Sequence, residues 1–126
     1  MMQTLKAGLG LGALLAIAAP AAARAQAPQA AAPQEVTVTG TVVDVTCKFM
    51  KGVSGEAHRK CGEVCANAGL PLAILGSDGK LYIPLGQDAG KPPTDLKAHV
   101  DHQVTVKGRV ITSSGANGIV ISSVSM

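Results

Sequence analysis

Four side chains that can bind a soft metal ion fall within 19 residues of this 126-residue chain. They are Cys47, His58, Cys61 and Cys65, and they include every cysteine of the sequence. On an α-helix, the last three stand at i, i+3 and i+7 and project from one face. Cys47 closes a strand pattern that leads into this segment. The spacing therefore predicts that the four side chains converge on one point.

This donor set is typical of a metal site. Thiolates and an imidazole bind Zn²⁺ tetrahedrally, and thiolates bind Cu(I) with fewer ligands. We predict a Cys3His site for Zn or Cu, although the His-x2-Cys-x3-Cys spacing lacks the Cys-x2-Cys pair of most structural zinc sites. Asp44 is a weaker candidate ligand, because strand alternation places it on the opposite face from Val45.

The amino-terminal residues predict export. Lys6 precedes an apolar, glycine-containing run from Ala7 to Ala19 and an alanine-rich tail, which is the pattern of a signal peptide over residues 1–25, cut near Ala25. The run has 13 residues, fewer than the roughly 18 to 20 that cross a bilayer. We therefore expect a periplasmic or secreted protein that does not span the membrane.

Export makes three cysteines an odd number that needs explanation, since cysteines pair in an oxidising compartment. The alternative to a metal is a disulfide from Cys47 to Cys61 or Cys65, with one thiol left over. The protein would then be a stapled interaction module that binds a protein or small ligand on its barrel face. Such a bridge contributes about 2–4 kcal/mol in a small domain.

A third alternative is a thiol redox or metal-transfer factor, and all three alternatives stay open on the sequence. The Cys-x3-Cys pair lies inside the predicted helix, whereas reactive pairs are usually Cys-x2-Cys at a helix start. No Ser/His/Asp order, phosphate-binding loop or paired-carboxylate motif is present. We therefore predict a binding domain, not an enzyme.

The charge balance argues against a nucleic-acid partner. Removal of residues 1–25 leaves 9 basic residues against 8 acidic ones, close to neutrality. Phe49 and Tyr82 are the only aromatic residues, so there are few platforms on which bases could stack. The possible partners are thus a metal ion or another protein.

The sequence around the four candidate ligands predicts one small β domain. Residues 26–34, rich in Ala, Gln and Pro, predict a flexible leader, and residues 35–126 predict one OB-like domain. Five strand patterns follow, at residues 36–47, with a bulge or sharp coil near Val42, and at 72–75, 81–85, 104–110 and 119–124. The first and fourth share Val-x-Gly-x-Val, which suits strands that bend tightly.

Two helices complete the prediction. The longer, Gly55 to Ala68, forms an insert between strands 1 and 2 and ends at Gly69. The shorter, Thr94 to His99, precedes strand 4. This order predicts a mainly β, five-stranded OB-like barrel in which strands 1 and 4 are neighbours. An open five-stranded α+β sheet is the alternative.

A resemblance rests on these same residues. The stretch Gly40-Thr41-Val42-Val43-Asp44 through Cys47, followed by Gly55-x2-His58-x2-Cys61-x3-Cys65-x3-Gly69-x-Pro71, resembles a group of small exported bacterial proteins, mostly described as hypothetical. They carry the same Cys…His-x2-Cys-x3-Cys pattern. The resemblance implies a shared exported OB-like fold and suggests that the four predicted ligands act together.

Overall fold

Alternating apolar residues build the strands, and the turns between them follow glycine and Asx residues. In the computed structural model, which describes Gly10, Gly12 and residues 34–126, the elements lie in the unit Ala31–Met126. They are β1 (Glu35–Asp44), α1 (Val45–Lys51), α2 (Arg59–Asn67), β2 (Leu72–Gly76), β3 (Leu81–Leu85), β4 (Gln103–Ser113) and β5 (Ala116–Ser125), with 3₁₀ turns at Glu56–His58 and Lys97–His99. The predicted signal peptide (1–25) and leader (26–34) lie outside the described residues, apart from Gly10, Gly12 and Gln34.

The five strands form a closed barrel in the order β1-β2-β3-β5-β4. β1 pairs antiparallel with β2 through one half and with β4 through the other. The prediction that strands 1 and 4 are neighbours is therefore confirmed. The parallel pairing of β3 with β5 closes the barrel. The open-sheet alternative is therefore wrong.

The two glycines shared by β1 and β4 lie where backbones approach closely. A Cβ at Gly40 would collide with the Leu75 carbonyl oxygen on β2. A Cβ at Gly108 would come within 2.5 Å of the Val120 carbonyl oxygen on β5. The β4–β5 register shifts between Lys107 and Gly108, where Ser122 of β5 has no opposite residue. The register of β1 is continuous through Val42, where the sequence predicted a bulge or coil.

The barrel interior is an apolar core, built from the inward residues of all five strands and from Leu96, which lies just before the second 3₁₀ turn. Its buried members are Val38, Val42, Ile74, Tyr82, Leu96, Val104, Val106, Ile119 and Ile121. Burial of these side chains supplies the main favourable term in folding. None of the four predicted site residues belongs to this core.

The helical segments depart from the sequence expectation in three places. β1 ends at Asp44 and does not reach Cys47, because Asp44 caps a helix that the strand pattern concealed. The helix predicted from Gly55 begins only at Arg59, after a 3₁₀ turn. The helix predicted at Thr94–His99 is a single 3₁₀ turn, since Val100 returns to extended backbone and bridges to Val42.

No helix in the described part of the chain is long and apolar enough to cross a membrane.

Candidate metal centre

The three cysteines come together at one point between the two helices. Their Sγ atoms all lie within 4.8 Å of one another, and all three thiols are free. Cys47 is buried, Cys65 is partly buried and Cys61 is exposed. The group therefore opens to solvent on the Cys61 side.

A helix cap positions Cys47. The Asp44 side chain accepts a hydrogen bond from the Cys47 backbone N–H at 3.1 Å. At its other end α1 stops at Lys51, and Gly52, with a φ of 68°, supplies the left-handed cap. Val45 N–H donates to the Pro71 carbonyl at 3.0 Å, which joins the two ends of the segment between β1 and β2. Cys47 thus lies in the first turn of a helix fixed directly to the barrel.

The second helix presents the other two thiols. Cys61 and Cys65 lie one turn apart on α2, so their side chains share a face. The helix buries Gly62 and Ala66 on its barrel side, and its carboxyl end closes with Leu70 N–H donating to the Cys65 carbonyl at 3.0 Å. The sequence expectation that Cys47, Cys61 and Cys65 converge is confirmed.

A buried carboxylate lies against this group. Asp44 is 1% exposed. Burial opposes ionisation of Asp44, but hydrogen bonds from the Cys47 N–H and from the Cys65 and Cys47 thiols outweigh it, and the pKa of Asp44 is lowered.

The Asp44 carboxylate and burial both favour the protonated form of two thiols, Cys65 and Cys47. The hydrogen bond to Asp44, followed by burial, raises the pKa of Cys65 to about 12. Burial, followed by the Asp44 charge, raises the pKa of Cys47. Thiolates are the species that bind metals and attack disulfides. A metal ion must therefore displace protons here, and spontaneous thiol redox chemistry is disfavoured at these two residues.

His58, the fourth predicted ligand, stands outside the 4.8 Å group of sulfur atoms. It lies in the 3₁₀ turn before α2, and its Nδ1 is 2.8 Å from Oδ2 of Asp101. The side chain is 9% exposed, and Nε2 is buried with no hydrogen-bond partner in the described part of the chain. A buried polar atom left without a partner costs about 1–3 kcal/mol. No described residue pairs with Nε2, so this nitrogen could act as a metal ligand.

Asp101 is a residue that the sequence interpretation missed. Its side chain is fully buried, its φ is 58°, and its Oδ1 accepts from the Gly55 N–H at 2.7 Å. It lies 43 residues from His58 along the chain, and no spacing rule connects them. The unusual feature of Asp101 is its positive φ, which Asp tolerates better than most residues. A backbone angle cannot be read from the sequence, so no sequence signal identified this residue.

The disulfide alternatives find no support, since neither Cys47–Cys61 nor Cys47–Cys65 is bridged in the structure. What the arrangement offers chemically is three sulfur donors, one of them exposed, and a buried imidazole nitrogen outside their 4.8 Å group. Comparisons of the chain with protein-family models, with curated proteins and with solved structures found no match.

Proposed function

We propose that this protein is an exported domain that binds one soft metal ion through Cys47, Cys61 and Cys65, with His58 as the fourth ligand. The observation that carries the proposal is the convergence of three free sulfur atoms within 4.8 Å. Chance clustering is a poor account, because these are all the cysteines of the chain and two separate helices bring them together.

The number and kind of donors favour particular ions. Thiolates select Cu(I) and Zn²⁺ over harder cations such as Mg²⁺ and Ca²⁺. Three sulfurs alone suit Cu(I), which binds with fewer ligands, whereas Zn²⁺ takes a tetrahedral set and would use His58. We propose Cu(I) as the first ion to test and Zn²⁺ as the second.

The fold and location form part of the proposal. The barrel order, with a parallel β3–β5 pair that closes it, supports an OB-like assignment. The pattern of residues 1–25 and the resemblance to small exported proteins with the same cysteine spacing support export to the periplasm or medium. Amino-terminal sequencing of the exported protein should place its first residue at Gln26.

The direct test is metal binding by the full exported chain with its thiols reduced. Native and denaturing mass spectrometry should give a mass difference of one ion per chain, and thiol counting should show three protected thiols. Cys61→Ser should abolish stoichiometric binding, because it removes the accessible donor. Ala68→Ser, a serine introduced at the end of the same helix, should bind like wild type. A wild-type chain with three reactive thiols and no bound ion would rule out the metal site.

Metal binding should also appear as stability. An ion that binds only the folded chain raises the free energy of unfolding by about 2.7 kcal/mol at a free concentration 100 times Kd. The wild-type midpoint in urea should therefore rise with the metal, and that of Cys61→Ser should not. Equal shifts in both proteins would point to binding elsewhere.

A second candidate function rests on a different surface. An open apolar groove of about 560 Å³ lies on the barrel, lined by prolines and by Leu72, Ile83 and Leu96. Grooves of this kind bind apolar segments or small ligands. If no ion binds, this groove makes an interaction module the better account. A metal-transfer role would extend the first proposal, because exposed Cys61 is open to an incoming ligand.

A further inference from the structure

The Asp101 carboxylate determines which nitrogen of His58 carries the proton. A carboxylate only accepts hydrogen bonds. Its Oδ1 accepts from the Gly55 N–H at 2.7 Å, and its Oδ2 lies 2.8 Å from His58 Nδ1. The proton of the neutral imidazole must therefore lie on Nδ1, and Nε2 presents a lone pair.

We infer that Asp101 is a positioning residue of the metal site, which holds His58 in the Nδ1–H tautomer so that Nε2 can bind the ion. The inference rests on the proposed function. Histidines that bind metals almost always donate their other ring N–H to a carboxylate, a carbonyl or water, and this partner fixes the tautomer and the ring orientation. The His58–Asp101 pair has this arrangement, and Nε2 is the ring nitrogen that has no partner among residues 34–126.

The barrel anchors Asp101 independently of the helices. Its backbone N–H donates to the Val42 carbonyl at 2.7 Å, and Val42 N–H donates to the His102 carbonyl at 3.1 Å. Val42 belongs to β1, the strand that leads directly to Asp44 and Cys47. β1 therefore fixes the positions of both Cys47, in the sulfur group, and the Asp101 carboxylate that holds the imidazole.

The helix makes room for this carboxylate. Gly62 lies between the metal ligand Cys61 and exposed Glu63 on α2, and a Cβ at position 62 would collide with Asp101 Oδ2. Gly62 is buried against the barrel and lies one helical turn from His58. Glycine at this position therefore allows the carboxylate to reach the imidazole between the helix and the barrel.

The sulfur group and the imidazole would contribute separately to the site. The three sulfur atoms lie within 4.8 Å of one another, and His58 lies outside that group. The three cysteines would therefore hold an ion by themselves, and the buried Nε2 would supply a fourth ligand where the ion needs one. Loss of the imidazole should weaken Zn²⁺ binding without abolishing it.

The first test is the tautomer itself, measured by ¹⁵N NMR of the imidazole in the full exported chain before any metal is added. Wild type should show His58 protonated at Nδ1. In Asp101→Asn the amide oxygen can still accept from Gly55 N–H, but the NH2 group then faces Nδ1 and forces the proton onto Nε2. A wild-type His58 protonated at Nε2 would overturn the inference, even if the variant failed to fold.

The second test is affinity in competition with a chelator, with Zn²⁺ as the probe and Cu(I), which three sulfurs can bind alone, as the comparison. Asp101→Asn should lower the Zn²⁺ affinity by roughly 10- to 100-fold, the usual effect of losing a carboxylate behind a metal-binding histidine, and should change the Cu(I) affinity little. Asp78→Asn, the same change at an exposed turn, is the matched control and should leave affinity unchanged. Gly62→Ala keeps every charge but displaces the carboxylate, and its affinity should fall by a similar factor.

The outcomes separate this inference from the proposed function. If wild type binds Zn²⁺ and Cys61→Ser does not, while Asp101→Asn and Gly62→Ala bind Zn²⁺ like wild type, the positioning role alone is overturned. It is also overturned if wild type binds Cu(I) but not Zn²⁺. If wild type binds neither ion, the proposed function fails and the positioning role fails with it. A tautomer that switches in Asp101→Asn together with the loss of affinity supports both.

Discussion

The barrel and the segment between β1 and β2, residues 45–71, are stabilised by opposite kinds of contact. The barrel buries an apolar core inside a closed set of strand pairings. Residues 45–71 leave Phe49, Met50 and Val64 exposed, while Cys47 is buried and His58 keeps only a small part of its side chain in solvent. We refer to residues 45–71 below as the insert.

The difference shows that the fold and the chemistry are separable in this chain. Apolar burial, which is the main favourable term for a domain, comes almost wholly from the barrel. The insert depends instead on a cap at Asp44, on the carboxylate of Asp101 and on the hydrogen bond between Val45 and Pro71. Substitutions in the barrel should therefore change stability strongly and leave metal binding intact, and substitutions at these polar contacts should cost less stability.

The largest effect is expected in the barrel core. Ile74 is fully buried on β2, and Ile74→Ala should lower the free energy of unfolding by about 2–5 kcal/mol, because it loses apolar burial and leaves a cavity. Metal bound per folded molecule should be unchanged. Urea denaturation measures the first quantity, and titration of the ion into folded protein measures the second.

Ile83→Ala is the matched control, since this isoleucine lies on the neighbouring strand and is 45% exposed. It should cost clearly less stability than Ile74→Ala, as partly exposed sites generally do. A loss of metal stoichiometry in folded Ile74→Ala would show that the barrel core and the sulfur group are coupled, and the separation argued above would be wrong.

Most of the barrel is predictable from the sequence because its determinants are local. Alternation along β1 and β4 marks their inward faces, Asp78-Gly79 marks the turn between β2 and β3, and the two strand glycines mark close approaches. The closure itself is less local. It depends on the parallel β3–β5 pairing, which no short pattern specifies.

The site is predictable only in part, because only some of its determinants are local in the sequence. Cys61 and Cys65 share a helix face, so spacing alone relates them. Cys47 was expected at the end of a strand, and the competing preference of Asp44 for a helix cap overrode that pattern. The contact between His58 and Asp101 joins residues 43 positions apart and exists only once the barrel has formed.

A medium effect is expected at the helix cap. Asp44→Ala removes the acceptor for the Cys47 N–H and should lower the free energy of unfolding by about 1 kcal/mol. Asp44→Asn should keep most of that stability, because Asn caps helices as well as Asp does. Both variants remove the carboxylate beside Cys65, so the pKa of Cys65 should fall from about 12 toward its ordinary value of 9.0.

Urea denaturation and the ultraviolet absorbance of the thiolate, followed against pH, read the two effects separately. Equal losses of stability in Asp44→Ala and Asp44→Asn would show that the charge, not the cap, holds α1. An unchanged pKa of Cys65 in both variants would show that burial alone raises it.

The smallest effect is expected at the barrel turn, as a pH dependence that the insert does not share. Asp78 accepts hydrogen bonds from the Tyr82 hydroxyl at 2.6 Å and from the Lys80 N–H at 3.0 Å. The first of these is the main cause that lowers the pKa of Asp78 below its ordinary 3.8. Because the folded pKa is the lower one, this carboxylate stabilises the fold fully above pH 3.8 and loses its contribution as the pH falls through the folded pKa.

Asp78→Asn should therefore be slightly less stable than wild type near neutral pH, and the difference should shrink in acid. Urea denaturation from neutral pH down to about one unit below the ordinary pKa of Asp measures this. Tyr82→Phe removes the hydroxyl donor but keeps the ring in the core, so it should lose most of the same acid dependence. If the free energy of unfolding falls equally in acid for wild type and both variants, the carboxylate that titrates is not Asp78. Since metal binding involves neither residue, the affinity of both variants should equal that of wild type, which makes this turn the sharpest test that the barrel and the insert act independently.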